Sequence, residues 1–250
     1  ITAGGAMFAA FPHWYATLFS GFYLALFIIL VALIFRGVAF EFRSKDKHPT
    51  WRKFWDWAIF FGSAIPALLW GVAFANIVRG VPIDANMHFT GNLLTLLNPY
   101  GLLGGLVTLT LFTLHGALFL ELKTDGDIRR RVDGVVKVFV PVVIVLTLGF
   151  VAFSIPQTTM FEDVNFVQII ALVGAVGGLL GTAYFSRERR FGLAFIGSGL
   201  AIVFVTVLLF ASLFPNVMPS STDDAFSLTV YNASSSQYTL QIMTVVALIF

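Results

Sequence analysis

The chain has no cysteine, which excludes disulfides, thiolate metal sites and cysteine nucleophiles. Charge is nearly as scarce. Asp, Glu, Lys and Arg make up 11% of the 250 residues, against roughly 25% in a soluble domain. A surface facing water cannot be covered with so few. Histidine is limited to His13, His48, His88 and His115. No Ser/His/Asp constellation, carboxylate metal cluster, low-complexity linker or sequence repeat is visible, and no basic groove interleaved with aromatics points to nucleic acid. What is present is apolar: 58% of the residues are hydrophobic and the mean hydropathy is +0.90. These values describe an integral membrane protein.

The stretch from Gly21 to Lys53 organises the rest. Gly21 to Phe35 is fifteen residues without a charge, and Phe40 brings the run to 20 with Arg36 as its only charge. At about 1.5 Å per residue this crosses the hydrocarbon core of a bilayer. Beyond it lie Glu41, Arg43, Lys45, Asp46, Lys47, Arg52 and Lys53, with Trp51 among them. An apolar span that ends in a basic, tryptophan-edged loop is expected to leave the membrane on its cytoplasmic side.

The other runs are placed around this one. Ile1 to Phe19, broken by Pro12, His13, Trp14 and Tyr15, reads as the outer part of a helix, with a tight turn at Ser20 and Gly21. Further spans are expected over about Phe54–Val78 with Pro66 inside, Pro99–Leu120, Val135–Ile155 with Pro141, Phe166–Phe185 and Phe191–Phe214. Thr239 to Phe250 begins another. A longer polar connection runs from Arg79 to Asn98, and its LLTLL segment is expected at the interface. The chain starts at Ile1 inside an apolar run and stops at Phe250 about a dozen residues into another, so both ends read as cut. The expected fold is therefore all-α: one polytopic membrane domain over residues 1–250, with about eight spans, the first and last incomplete.

Basic residues give the topology. Thirteen of the fifteen Lys and Arg lie in or beside three alternate loops, Glu41 to Lys53, Glu121 to Lys137 and Ser186 to Arg190. The intervening loops carry Asp84, Glu162, Asp163, Asp223 and Asp224. Strict alternation over six connections is a strong positive-inside signal, placing the basic loops in the cytoplasm.

Haem ligation in a helical membrane bundle needs ligands on facing helices. Only His115 is embedded, so it reads as a hydrogen-bonded residue of a helix contact. Five ionisable groups lie near or within the spans: Arg36, Glu41, Asp56, Glu121 and Lys137. All sit within about two turns of the cytoplasmic boundary, where snorkelling or interfacial pairing competes with a functional role. Small-residue pairs Gly101/Gly105, Gly174/Gly178 and Gly177/Gly181 are expected to permit close helix packing. GAVGGLLG lies in mid-span and is not a phosphate loop. Asn232-Ala-Ser234 fits a glycosylation sequon.

Several segments carry the reading further. ITAGGAMFAAFPHWYATLFSGFY at the start, FRGVAFEFRSK with Arg36 and Glu41, and TWRKFWDWAIFFGS with Asp56 resemble subunit II of the cytochrome bd-type quinol oxidases. GVAFANIVRGVP, FTGNLLTLLNPYGLLGG, FPNVMPSST and NASSSQYTLQIMT continue the resemblance in order, whereas Asp125 to Arg190 matches by hydropathy alone. The resemblance implies a subunit of normally nine helices, of which this chain would lack the first helix, its loop and most of the last. It implies no haem in this chain and a haem-carrying subunit I as partner, holding haem b and haem d or a b-type replacement, with quinol as the substrate of the complex. A small single-helix subunit, membrane lipid and a bacterial or archaeal cell membrane belong to the same expectation. So does a non-catalytic role in stabilising subunit I and in proton or oxygen access. The acidic residue after FRGVAF matches Glu41, so Glu41, Arg36 and Asp56 are the proton-path candidates that the resemblance suggests.

Two other classes compete. A secondary transporter would place charged pairs beside discontinuous helices at mid-depth in both halves, and Pro66 and Pro141 have no such pairs. A structural membrane anchor without any conduction role is the third.

Overall fold

A computed structural model describes residues 2–161 and 164–249. The described residues fold into ten α-helices: α1 Thr2–Ala10, α2 Pro12–Gly21, α3 Tyr23–Phe42, α4 Pro49–Arg79, α5 Leu93–Leu96, α6 Pro99–Lys123, α7 Gly126–Gln157, α8 Phe166–Arg187, α9 Phe191–Leu213 and α10 Gln237–Ile249. Six of them, α3, α4, α6, α7, α8 and α9, are long and apolar enough to cross a membrane. The all-α expectation holds, apart from a small antiparallel pair formed by β1 Asn216–Met218 and β2 Leu228–Thr229.

Helix starts follow local chemistry. His48 precedes Pro49 and its ring nitrogen accepts from Thr50 N–H at 3.3 Å. Asn98 precedes Pro99 and accepts from Gly101 N–H at 2.9 Å. Asn165 and Gln168 close a reciprocal capping box at α8. In each case a side chain satisfies a backbone donor that the first helical turn leaves free. At the other end of α4, Gly80 (φ +90°) ends the helix in a conformation that favours glycine.

Two early expectations need correction. The first run is two helices, since the chain breaks at Phe11 before Pro12. Ser20 and Gly21 are the last residues of α2 rather than the expected tight turn. Phe22 N–H still donates to Leu18 O and Leu26 N–H to Phe22 O, so α2 passes into α3 through a hydrogen-bonded bend at Phe22. The side of α2 is committed to loops: Trp14 Nε1 donates to Val217 O at 3.2 Å, and Thr17 Oγ1 donates to Met87 O at 2.6 Å.

Close packing sets the order of the bundle. α3 packs on α4, α4 on α6, α6 on α7 and α9, and α8 on α9. Gly71 has no room for a Cβ, which would strike Thr108 Oγ1 and Gly104 O. Thr108 Oγ1 in turn donates to Ala67 O across the same seam at 2.7 Å. Gly101 and Gly105 also face α4, and Gly174 and Gly178 face Phe204 and Ala201 of α9. Gly177 faces open space and Gly181 meets only Phe185 at 4.0 Å. The third expected glycine pair therefore does not pack within this chain.

The three acidic connections gather at one end. Val81 N–H donates to Pro219 O, and Ser221 N–H to Val81 O. Beneath them Phe22, Val81, Ile83, Leu96, Met160, Met218 and Leu228 form one buried apolar cluster. Glu162 and Asp163 lie outside the described residues. At the other end, Leu118, Val132, Val136 and Phe191 form a second cluster below the basic loops. The LLTLL segment becomes α5, with Leu94 exposed and Leu96 buried beneath it.

Candidate functional site

The proton-path candidates lie at the basic end, where α3 turns into α4. Phe42 O accepts from Trp51 Nε1 at 2.8 Å, and Asp46 Oδ1 accepts from His48 N–H at 2.9 Å. These bonds fold the connection back on itself. Arg43 reaches across it and grips Asp56 with two donors, Nε to Oδ1 at 2.5 Å and Nη2 to Oδ2 at 3.3 Å. Hydrogen bonding to Asp56 raises the Arg43 guanidinium further above its already high value.

Glu41 lies in the last turn of α3 and pairs with Lys45 at 2.7 Å. Both side chains are largely exposed. Lys45, not Arg36, is the cation against Glu41. Arg36 is exposed on α3 and has no ion pair among the described residues. Its Cβ instead lies against α4, where a Cβ added to Gly62 would meet it at 2.7 Å. The structure thus brings Asp56 to Arg43 and Glu41 to Lys45, and leaves Arg36 apart from both.

The other two embedded charges are also paired. Lys137 Nζ lies 2.6 Å from Asp133 Oδ2. Glu121, whose side chain is 3% exposed, accepts from Arg129 Nε at 3.1 Å. Arg129 also reaches Asp125 at 3.6 Å and lies over the Phe191 ring at 5.9 Å. Glu121 Oε2 has no hydrogen-bond partner among the described residues. Sequence spacing hinted at this node only weakly. Glu121, Asp125 and Arg129 recur every four residues, but a helix break at Thr124 and Asp125 lies between them.

His115 is the helix-contact residue that its isolation suggested. Its Nδ1 is 2.8 Å from Ser198 Oγ on α9, and its ring stacks on Phe195 with centroids 4.4 Å apart. His13, His48 and His88 lie in α2, at the α4 cap and in the Arg79-to-Asn98 connection. No group of three or more His, Asp or Glu side chains converges among the described residues.

Sequence reasoning missed a polar seam at the opposite end. Buried Asn76 donates through Nδ2 to Val72 O at 2.8 Å and to Leu96 O at 2.7 Å, and its Oδ1 accepts from Asn98 Nδ2 at 2.7 Å. Tyr100 OH and Ser154 Oγ are 2.9 Å apart beside it. A large apolar cavity of about 580 Å³ lies nearby between α1, α2, α4 and α9, walled by Phe11, Trp14, Trp70, Phe74 and Phe210. The Asn232 side chain of the sequon is spent internally, accepting from Thr229 N–H and donating to Ser227 O.

The family model for cytochrome bd terminal oxidase subunit II matches residues 1–250. The chain is 43% identical over 248 residues to cytochrome bd ubiquinol oxidase subunit 2 of Bacillus subtilis, covering 99% of this chain and 73% of that protein. It is 37% identical over 283 aligned positions to cytochrome bd-I ubiquinol oxidase subunit 2 of Escherichia coli K12, covering all of this chain and 74% of that protein. The probable cytochrome oxidase subunit 2 of Haemophilus influenzae matches at 37% identity, covering all of this chain and 75% of that protein.

Proposed function

The chain belongs to the family of cytochrome bd terminal oxidase subunit II, and from that premise we propose that it is the haem-free subunit of its complex. It is a multi-pass membrane subunit of a respiratory quinol oxidase, an oxidoreductase that reduces oxygen. Its partner is another oxidase subunit. In this reading the partner carries haem b together with haem d or a b-type replacement. A small single-helix subunit and bound lipid complete the assembly. The full subunit has nine helices, of which these 250 residues form one membrane domain. The basic loops face the cytoplasm, an orientation supported by the positive-inside bias.

The observation that carries the haem-free reading is the engagement of His115. Its Nδ1 is held on Ser198 and its ring is covered by Phe195, while the other three histidines lie elsewhere. This chain's own contribution is then structural: helix faces that pack, and ion pairs that fasten the basic end. Within that role Glu41 is the proton-collecting candidate. It is exposed at the basic end beside Lys45, whereas both oxygens of Asp56 are tied to Arg43.

The test is a haem spectrum and subunit count of the purified complex carrying His115→Ala. An assembled complex with full haem content is expected. Selective loss of one haem signal, with both subunits still present, would show that this chain donates a ligand.

A further inference from the structure

We draw no further inference here: the strongest candidate, the apolar cavity of about 580 Å³ between α1, α2, α4 and α9, carries nothing because these residues span about three quarters of the length of the relatives and nothing in the structure shows what covers it.

Discussion

Arg129 on α7 and Glu121 on α6 meet at 3.1 Å with unequal exposure, the carboxylate buried and the guanidinium half exposed. The pair joins two helices at the basic end, and the cation also covers Phe191 at the start of α9. Removing the cation leaves a carboxylate shut away from water with neither oxygen satisfied. Arg129→Met should therefore lower the stability of the complex by about 3 kcal/mol, the lower end for breaking a buried pair, because Arg129 is partly solvated. The double replacement Glu121→Leu with Arg129→Met should recover much of that loss. Thermal unfolding of the two variants checks this, and equal Tm values for both would show that the pair is not coupled.

Glu41 and Asp56 carry the same charge in different settings. If Glu41 collects protons, Glu41→Gln should give a fully haem-loaded complex with slowed oxygen consumption, because the amide keeps shape but cannot titrate. Asp56→Asn should instead loosen the grip of Arg43 and act on stability first. Oxygen consumption between pH 6 and 8, about the working range of such a group, separates these outcomes. Unchanged turnover in Glu41→Gln would assign it to anchoring beside Lys45.

Gly177 and Gly178 are neighbours in sequence and opposites in packing. A Cβ on Gly178 would lie 2.8 Å from both Ala201 N and Gly197 O, while one on Gly177 meets nothing within 4 Å. Gly178→Ala should force α8 and α9 apart at a cost of about 1–3 kcal/mol. Gly177→Ala should leave the fold as stable or slightly more so, by up to about 1 kcal/mol from helix propensity. Denaturation midpoints of the two variants in one detergent provide the comparison.

Asp84 shapes the connection after α4. Its Oδ1 accepts from His88 N–H and Asn86 N–H, both at 2.9 Å, and these bonds hold its carboxyl below the usual aspartate range. A folded-state value below the unfolded one stabilises the loop fully above about pH 4. That contribution is lost as pH falls through the lower folded value. Asp84→Ala should therefore raise amide exchange at Asn86 and His88 near neutral pH, and should remove the acid dependence of that exchange. Unaltered protection in the variant would show that the turn is held by other contacts.

Much of this molecule was readable from one dimension. A bilayer demands long apolar helices whatever surrounds them, so the spans from Phe54 and from Phe191 stood out by composition alone, and α4 and α9 cover them. The shortage of charge excluded a soluble fold, and the scarcity of histidine already left His115 without an embedded partner. Pairing was another matter. Which cation meets Glu41, which glycine of GAVGGLLG touches a neighbour, and whether Arg129 folds back on Glu121 depend on the rotation of each helix about its axis. That rotation is set by backbones closing at Gly71, Gly104 and Gly178, sites where close van der Waals contact decides the geometry. The small sheet and the Asn76–Asn98 seam were equally hidden, because each joins residues through loops whose course only the packed bundle determines.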